Sequence, residues 1–371
     1  MSKTLARCRD FVQREAVLSI AAALAVVSAF FVPPSAGYLS YIDWHTLTLL
    51  FSLMAVVKGF QKGGVFLYLG NGLLRRTHTS RQLLLVLVFL PFFFSMLITN
   101  DVSLITFVPF GITVLRMAGQ ERLLIPMVVL QTAAANLGSM LTPMGNPQNL
   151  YLYTQSGMSF GDLCLLMLPY VALSGICLAV IAVACRSDNI PPVSVPASLG
   201  SARYLGFCTA GLVLCLLGIF KLLSPVWIAA IVLVFLLFTD RQVLAEVDYS
   251  LLGTFIAFFI FIGNVGNIPA FRDLLASLIT GHVEGVAVLA SQVISNVPAA
   301  LLLAGFTSDW NALIVGCNLG GLGTLIASMA SLISYKQVAR EYPAQRQKYF
   351  LWFTVCNVAL LALLLVTDLV L

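Results

Sequence analysis

The sequence predicts an all-α polytopic membrane protein, built as an inverted repeat with two re-entrant hairpins and two broken transmembrane helices. Three observations predict it: a composition suited to lipid, a polar motif that recurs inside apolar sequence, and the placement of the basic residues. Sixty per cent of the 371 residues are apolar, nine per cent are charged and the mean hydropathy is +0.99, whereas a soluble domain carries roughly 25% charge. The longest polar interval, 186–203, is a Pro- and Ser-bearing linker, which leaves no soluble domain and makes the membrane domain the functional one.

The recurring motif is Leu97-Ile-Thr-Asn-Asp-Val102, with a near copy at Val293-Ile-Ser-Asn-Val-Pro298, offset by 196 and preceded in register by Ser95 and Ser291. Asp101 is the one carboxylate well inside apolar sequence. An ionisable group there is costly enough to point to function. The alternative is a polar turn at the membrane surface that happens to recur.

Taken in order, residues 1–14 carry Lys3, Arg7, Arg9 and Arg14 ahead of an apolar run at 16–32. That run is longer than a signal-peptide core and reads as an uncleaved first span. A second span at 44–59 follows, then an interfacial helix at 65–74. The arms around Asp101, 83–98 and 102–115, hold 16 and 14 residues, where a crossing needs about 20. They predict a re-entrant hairpin at 83–115, and arms of 10 and 11 residues predict a second one at 285–307.

Between them, Thr142-Pro-Met-Gly-Asn-Pro-Gln-Asn149 interrupts apolar sequence, and two prolines and a glycine break a span over 123–155. Loose backbone at membrane depth survives only where it is buried in protein or lines a cavity. Asn136-Leu-Gly138 recurs as Asn318-Leu-Gly320, offset by 182, which aligns Thr142 with Thr324, Asn146 with Ser328 and Asn149 with Ser331. The second broken span therefore covers 312–335, loosened by Gly320, Gly321 and Gly323. Further spans are expected at 164–185, 205–220, 226–238, 251–265 and 350–370, with a second interfacial helix at 270–279. Ile42-Asp-Trp matches Val247-Asp-Tyr at an offset of 205, so both open corresponding spans.

The expected organisation is a first repeat at 1–185, a linker with an unpaired span at 186–224, and a second repeat at 225–371. If the hairpins do not cross, the unpaired span delivers the second repeat inverted. With the amino terminus cytoplasmic and the carboxyl terminus periplasmic, 18 of the 20 basic residues fall inside, all but Lys221 and Arg272.

The composition also excludes classes of function. The basic balance follows span ends, so nothing implies nucleic acid. Eight cysteines without metal spacing read as small buried hydrophobes, and none of the three histidines lies mid-span, so no haem is expected. Asp101 has no second buried acid, which argues against an intramembrane enzyme. No cofactor or ATP-binding motif is present, so the expected energy source is a gradient of Na⁺ or H⁺.

Opposed hairpins and broken spans in an inverted repeat are the layout of many secondary transporters, with the site near the midplane. The first half-site is then Thr99, Asn100, Asp101, Gly145, Asn146 and Asn149, and the second Ser295, Asn296, Thr324, Ser328 and Ser331. Because Val297 stands where the first tip has Asp101, Asp101 is expected to carry the coupling ion, with Na⁺ a candidate at Asn100, Asp101 and Asn146. Substrate is expected between the tips, against Asn100, Asn149, Asn296, Thr324, Ser328 and Ser331. Two alternatives stay open locally: Asp101 as a helix cap, and Asn149 as an amide tying its broken span together.

Thr99-Asn-Asp101, Asn136-Leu-Gly-Ser139 with Thr142-Pro-Met-Gly-Asn-Pro-Gln-Asn149, Ser295-Asn-Val-Pro298 and Asn318-Leu-Gly-Gly321 together resemble the ion transporter superfamily. The pattern is most similar to its ArsB/NhaD and citrate-transporter-like branch, including YbiR-type inner-membrane permeases. That resemblance implies a homodimer in the bacterial inner membrane, with a scaffold and a transport domain in each protomer and an elevator-like mechanism. It implies ion sites at the hairpin tips. Dicarboxylate carriers of the superfamily show Ser-Asn-Thr at both tips; Thr-Asn-Asp and Ser-Asn-Val stand here. The leading expectation is an ion-coupled transporter of a small anion, and the alternative is a Na⁺/H⁺ antiporter or an arsenite exporter.

Overall fold

The structure, a computed structural model, describes residues 15–370. Lys3, Arg7, Arg9 and Arg14, which carry part of the expected orientation, lie outside the described residues. Within them the chain forms nineteen α-helices and three 3-10 turns, with no β-strand. The first part contains α1 (Ala16–Ala29), α2 (Tyr38–Tyr41), α3 (Trp44–Lys62), α4 (Val65–Leu74), α5 (Ser80–Phe94), α6 (Asn100–Met117), α7 (Leu124–Ser139), α8 (Pro147–Ser156) and α9 (Phe160–Ala184). The second contains α10 (Ala202–Ile219), α11 (Pro225–Thr239), α12 (Arg241–Ala245), α13 (Tyr249–Gly266), α14 (Pro269–Ile279), α15 (Val283–Ile294), α16 (Asn296–Ala304), α17 (Trp310–Leu319), α18 (Met329–Glu341) and α19 (Arg346–Asp368).

This is the expected all-helical polytopic class. α9, α10, α13 and α19 with its preceding turn are each long and apolar enough to cross a membrane. The pairs α3/α4 and α14/α15 are long and apolar enough only when taken together, bent by 55° and 111°. The bend between α3 and α4 falls at Gly64, whose φ of +69° is a left-handed conformation open to glycine at little cost. Two short helices, α2 and α12, were not expected from the apolar pattern.

Capping residues set the starts. Asp43 accepts the Thr46 N–H at α3, Asp248 the Leu251 N–H at α13, and Thr99 the Val102 N–H at α6. The cap of α6 is thus Thr99, and Asp101 sits in the first turn behind it.

Packing joins these helices in matching pairs. α1 lies along α13 and α3 along α11 and α10, while α5 and α6 clasp α7 as α15 and α16 clasp α17. α7 is buried on every side apart from Pro126, as expected of a helix apolar all round. Two close approaches hold the clasps. A Cβ on Gly138 would lie 2.0 Å from the Phe92 carbonyl oxygen and 2.8 Å from Ser95 Oγ, and one on Gly320 would lie 2.7 Å from Ser291 Oγ. The serines that recur in the sequence therefore press on the glycines that recur.

The linker is held against the ends of α3, α4 and α5 by backbone hydrogen bonds rather than looping free. Ser80 N–H donates to the Asp188 carbonyl (2.8 Å), Ile190 N–H to His78 (3.1 Å) and Gly200 N–H to Gly63 (3.0 Å). Asn71 both donates to and accepts from the Val195 backbone, and Arg122 pairs with Asp188.

Candidate functional site

The segments between α7 and α8 and between α17 and α18 meet the hairpin tips in one buried polar cluster. Asn136, on the last turn of α7, is its hub. Its Oδ1 accepts from Asn100 Nδ2 (3.0 Å) and from Ser328 Oγ (3.0 Å), and its Nδ2 donates to Ser331 Oγ (3.2 Å). Asn318, the counterpart on α17, donates to Asn149 Oδ1 at 2.7 Å. The bonds to Ser328 and Ser331 and the Asn318–Asn149 bond run crosswise, from one broken span to the other.

Asn149 performs the tying role as well. Its Nδ2 lies 3.3–3.4 Å from the carbonyl oxygens of Ser139, Met140 and Thr142, the last residues before the break. Asn146 Nδ2 donates to Ser139 Oγ (2.7 Å), and Gly145 packs so tightly that a Cβ would lie 2.1 Å from the Ser139 carbonyl oxygen. Ser295, with φ +75°, turns the second tip so that Ser295 Oγ and Asn296 N–H both reach the Ala327 carbonyl oxygen, at 3.3 and 2.9 Å. Holding a non-glycine residue in that region costs energy, and such strain concentrates at functional sites.

The consequence is a convergence of helix N-termini. α6 begins at Asn100, α8 at Pro147, α16 at Asn296 and α18 at Met329, and each start belongs to this cluster or packs on it. Each carries about half a positive charge, although the Asp101, Val102 and Asn296 N–H groups are already bonded within the protein and Pro147 has none to offer. The cluster itself is neutral: amides and hydroxyls, with no lysine or arginine among them. Three of its atoms, Asn146 Oδ1, Gln148 Nε2 and Asn318 Oδ1, are buried without a hydrogen-bond partner. Buried polar atoms are almost always paired, so these have capacity for a bound species. Two acceptors suit a cation, and the amide donor with the helix termini suits an anion.

Two expected site residues are placed elsewhere. Thr324 is exposed, and its N–H and hydroxyl bond to Gln292 Oε1 (2.9 Å) and the Gln292 carbonyl (3.1 Å) instead of the cluster. Asp101 lines a cavity of about 310 Å³ with Glu15, Asp248, Thr254 and Lys336, between the start of α1 and α6, α13 and α18. Its carboxylate makes no hydrogen bond to the cluster among the described residues. No group of three or more His, Cys, Asp or Glu side chains there is placed to hold a metal ion.

Three contributors escaped prediction. Asn136 and Asn318 were legible as a repeat but read as the approach to the break, not as its hub. Gln292 clamps the second break, donating to the carbonyls of Gly320 (2.9 Å) and Leu322 (3.0 Å), and no repeat signal marks it because Met96 is its counterpart.

Comparison with known proteins adds to this geometry. A family model described as "Citrate transporter" matches residues 9–309. The "Inner membrane protein YbiR" of Escherichia coli is 32% identical over 314 residues, covering 83% of this chain and 84% of that protein. The "Uncharacterized transporter MJ0456" of Methanocaldococcus jannaschii is 30% identical over 298 residues, 80% of this chain and 81% of its own. The "Silicon efflux transporter LSI3" of Oryza sativa is 35% identical over 129 residues, 34% of this chain and 26% of its own.

Proposed function

Because the chain belongs to the citrate transporter family, we propose that it is an ion-coupled secondary active transporter of a small anion. It is a multi-pass membrane protein and a transporter rather than an enzyme. In this reading it acts as a homodimer in the bacterial inner membrane, amino terminus cytoplasmic and carboxyl terminus periplasmic, by elevator-like alternating access. The inverted relation of 1–185 and 225–371 is part of the proposal, and the matched packing of α1 on α13 and α3 on α11 supports it.

The observation that carries the reading is the meeting of four helix N-termini around neutral buried amides. An anion there gains from the termini without requiring a fixed buried cation. In the absence of lysine or arginine, the anion is bound weakly enough to leave again on the other side. Asn100, Asn149, Asn296, Ser328 and Ser331 form its surroundings. Asp101 is the proposed coupling group, since it stands one residue from Asn100 and lines a cavity of about 310 Å³.

The test is uptake into proteoliposomes holding the purified chain, with labelled citrate first and labelled phosphate and sulfate as inorganic anions. Uptake of at least one that rises with an imposed Na⁺ or proton gradient supports the reading. Cation exchange with no anion uptake establishes the second reading, a Na⁺/H⁺ antiporter, which the Asp101 carboxylate and the unpartnered acceptors Asn146 Oδ1 and Asn318 Oδ1 favour.

A further inference from the structure

Asp43 and Asp248 occupy matched places, each capping the helix it precedes, at an offset of 205. The broken spans, related by an offset of 182, carry a second matched pair, Gln155 near the end of α8 and Gln337 on α18. At the Asp43 end the two features are joined, for Gln155 Nε2 donates to Asp43 Oδ2 at 2.9 Å. One turn before Gln155 on the same helix, Tyr151 packs against Phe259 and Phe255 of α13, with ring centroids 5.6 and 6.4 Å apart.

At the Asp248 end they are apart. Gln337 Nε2 donates to Glu341 Oε1 (2.9 Å) on its own helix. The cavity of about 310 Å³ opens between Asp248 and α18, with Lys336 and Ile333 on its wall. Asp43 and Gln155 are thus joined to each other, while their counterparts Asp248 and Gln337 bond only within their own helices.

We infer that Asp43–Gln155 and Asp248–Gln337 are two alternating latches, each closing one end of the molecule while the other is open. The bonds lie outside the polar cluster and touch no substrate, so Gln155 and Gln337 are positioning residues. The inference rests on the transport reading and adds to it the contacts that distinguish the two end states. A single partly exposed hydrogen bond suits the role, because its modest net contribution biases an equilibrium without trapping it.

The test uses the full chain with its eight native cysteines replaced by alanine and a single cysteine at Ile333→Cys, on the cavity wall. The rate of labelling by a water-soluble maleimide then reads how often the Asp248 end is open. Gln155→Ala removes the latch that holds that state and lowers the open-to-closed ratio about fivefold, the effect of one hydrogen bond. Gln337→Ala does not lower it. Gln155 is exposed, so its substitution leaves folding intact, and Gln155→Glu, facing Asp43, lowers the ratio further. Unchanged labelling in Gln155→Ala, or an equal fall in both alanine variants, overturns the latches. Uptake measured on the same preparations separates the two proposals: transport with unchanged labelling leaves the functional reading standing, and the expected labelling pattern without any transport removes that reading instead.

Discussion

Asn318 Nδ2 donates to Asn149 Oδ1, at 2.7 Å, across 169 residues of chain. Adding the 182-residue offset to one side of the mirrored bond gives the other, since Asn136 Nδ2 donates to Ser331 Oγ at 3.2 Å. The two broken spans therefore hold each other by the same pair of positions, once in each direction. The first consequence is a ranking of substitutions. Asn136→Ala strands Asn100 Nδ2, Ser328 Oγ and Ser331 Oγ together, whereas Asn318→Ala strands Asn149 Oδ1. At about 1–3 kcal/mol for each buried group left unpaired, Asn136→Ala is the more destabilising. Thermal unfolding midpoints of the detergent-purified variants check the order, and equal midpoints refute it.

The glycine clasps make a separate prediction. A methyl group on Gly138 would sit 2.0 Å from the backbone oxygen of Phe92, a clash with backbone that no side-chain rotation relieves. Gly138→Ala should cost at least the roughly 1–3 kcal/mol of an overpacked core. Gly320→Ala, whose methyl would lie 2.7 Å from the Ser291 Oγ and from the Gly316 carbonyl oxygen, costs less than Gly138→Ala with its 2.0 Å approach. Gly72→Ala, with nothing within 4 Å, is neutral. Yield of monodisperse protein on size exclusion reads all three.

Asp101→Asn keeps the side-chain volume and removes the charge. Transport should persist in counterflow, which needs no coupling ion, and lose its dependence on an imposed Na⁺ or proton gradient. Undiminished gradient dependence in Asp101→Asn would assign coupling to another group.

A pH dependence follows from the pair between Lys62 and Asp240, 2.7 Å apart beside α12. Burial raises the Asp240 carboxyl. The hydrogen bonds and charge of Lys62, with the Val243 N–H and the Tyr204 hydroxyl, outweigh that and hold it below its ordinary 3.8. A depressed carboxyl contributes stability that is present above its unfolded value and lost as pH falls through its folded one. The stability difference between the parent chain and Asp240→Asn should thus be constant from about pH 5 to 8 and shrink below about pH 4. A difference that grows on acidification contradicts the assignment.

Much of this was legible in the sequence because repeats report geometry. The 182 offset paired Asn149 with Ser331 and Thr142 with Thr324, and the structure gives each pair the same partner type, Thr142 Oγ1 donating to the Met96 carbonyl as Thr324 Oγ1 does to that of Gln292. Other features needed three dimensions. Asn100 and Asp101 are neighbours in the motif, yet successive helical residues point about 100° apart, so one enters the cluster and the other faces α13. Thr324 lost its inward place because the second break, loosened by glycines, bulges outward where the first, bounded by two prolines, stays buried. Nothing in the sequence marks Gln292, whose role depends on where the second break passes its side chain.

The central claim is that the four converging helix N-termini are where the substrate binds. The most direct measurement is a density map of the purified chain saturated with the anion that the uptake assay identifies. The account predicts non-protein density bounded by Gln148, Asn149, Asn296 and Ser328. A map at comparable resolution with that space empty and the anion ordered elsewhere would contradict it.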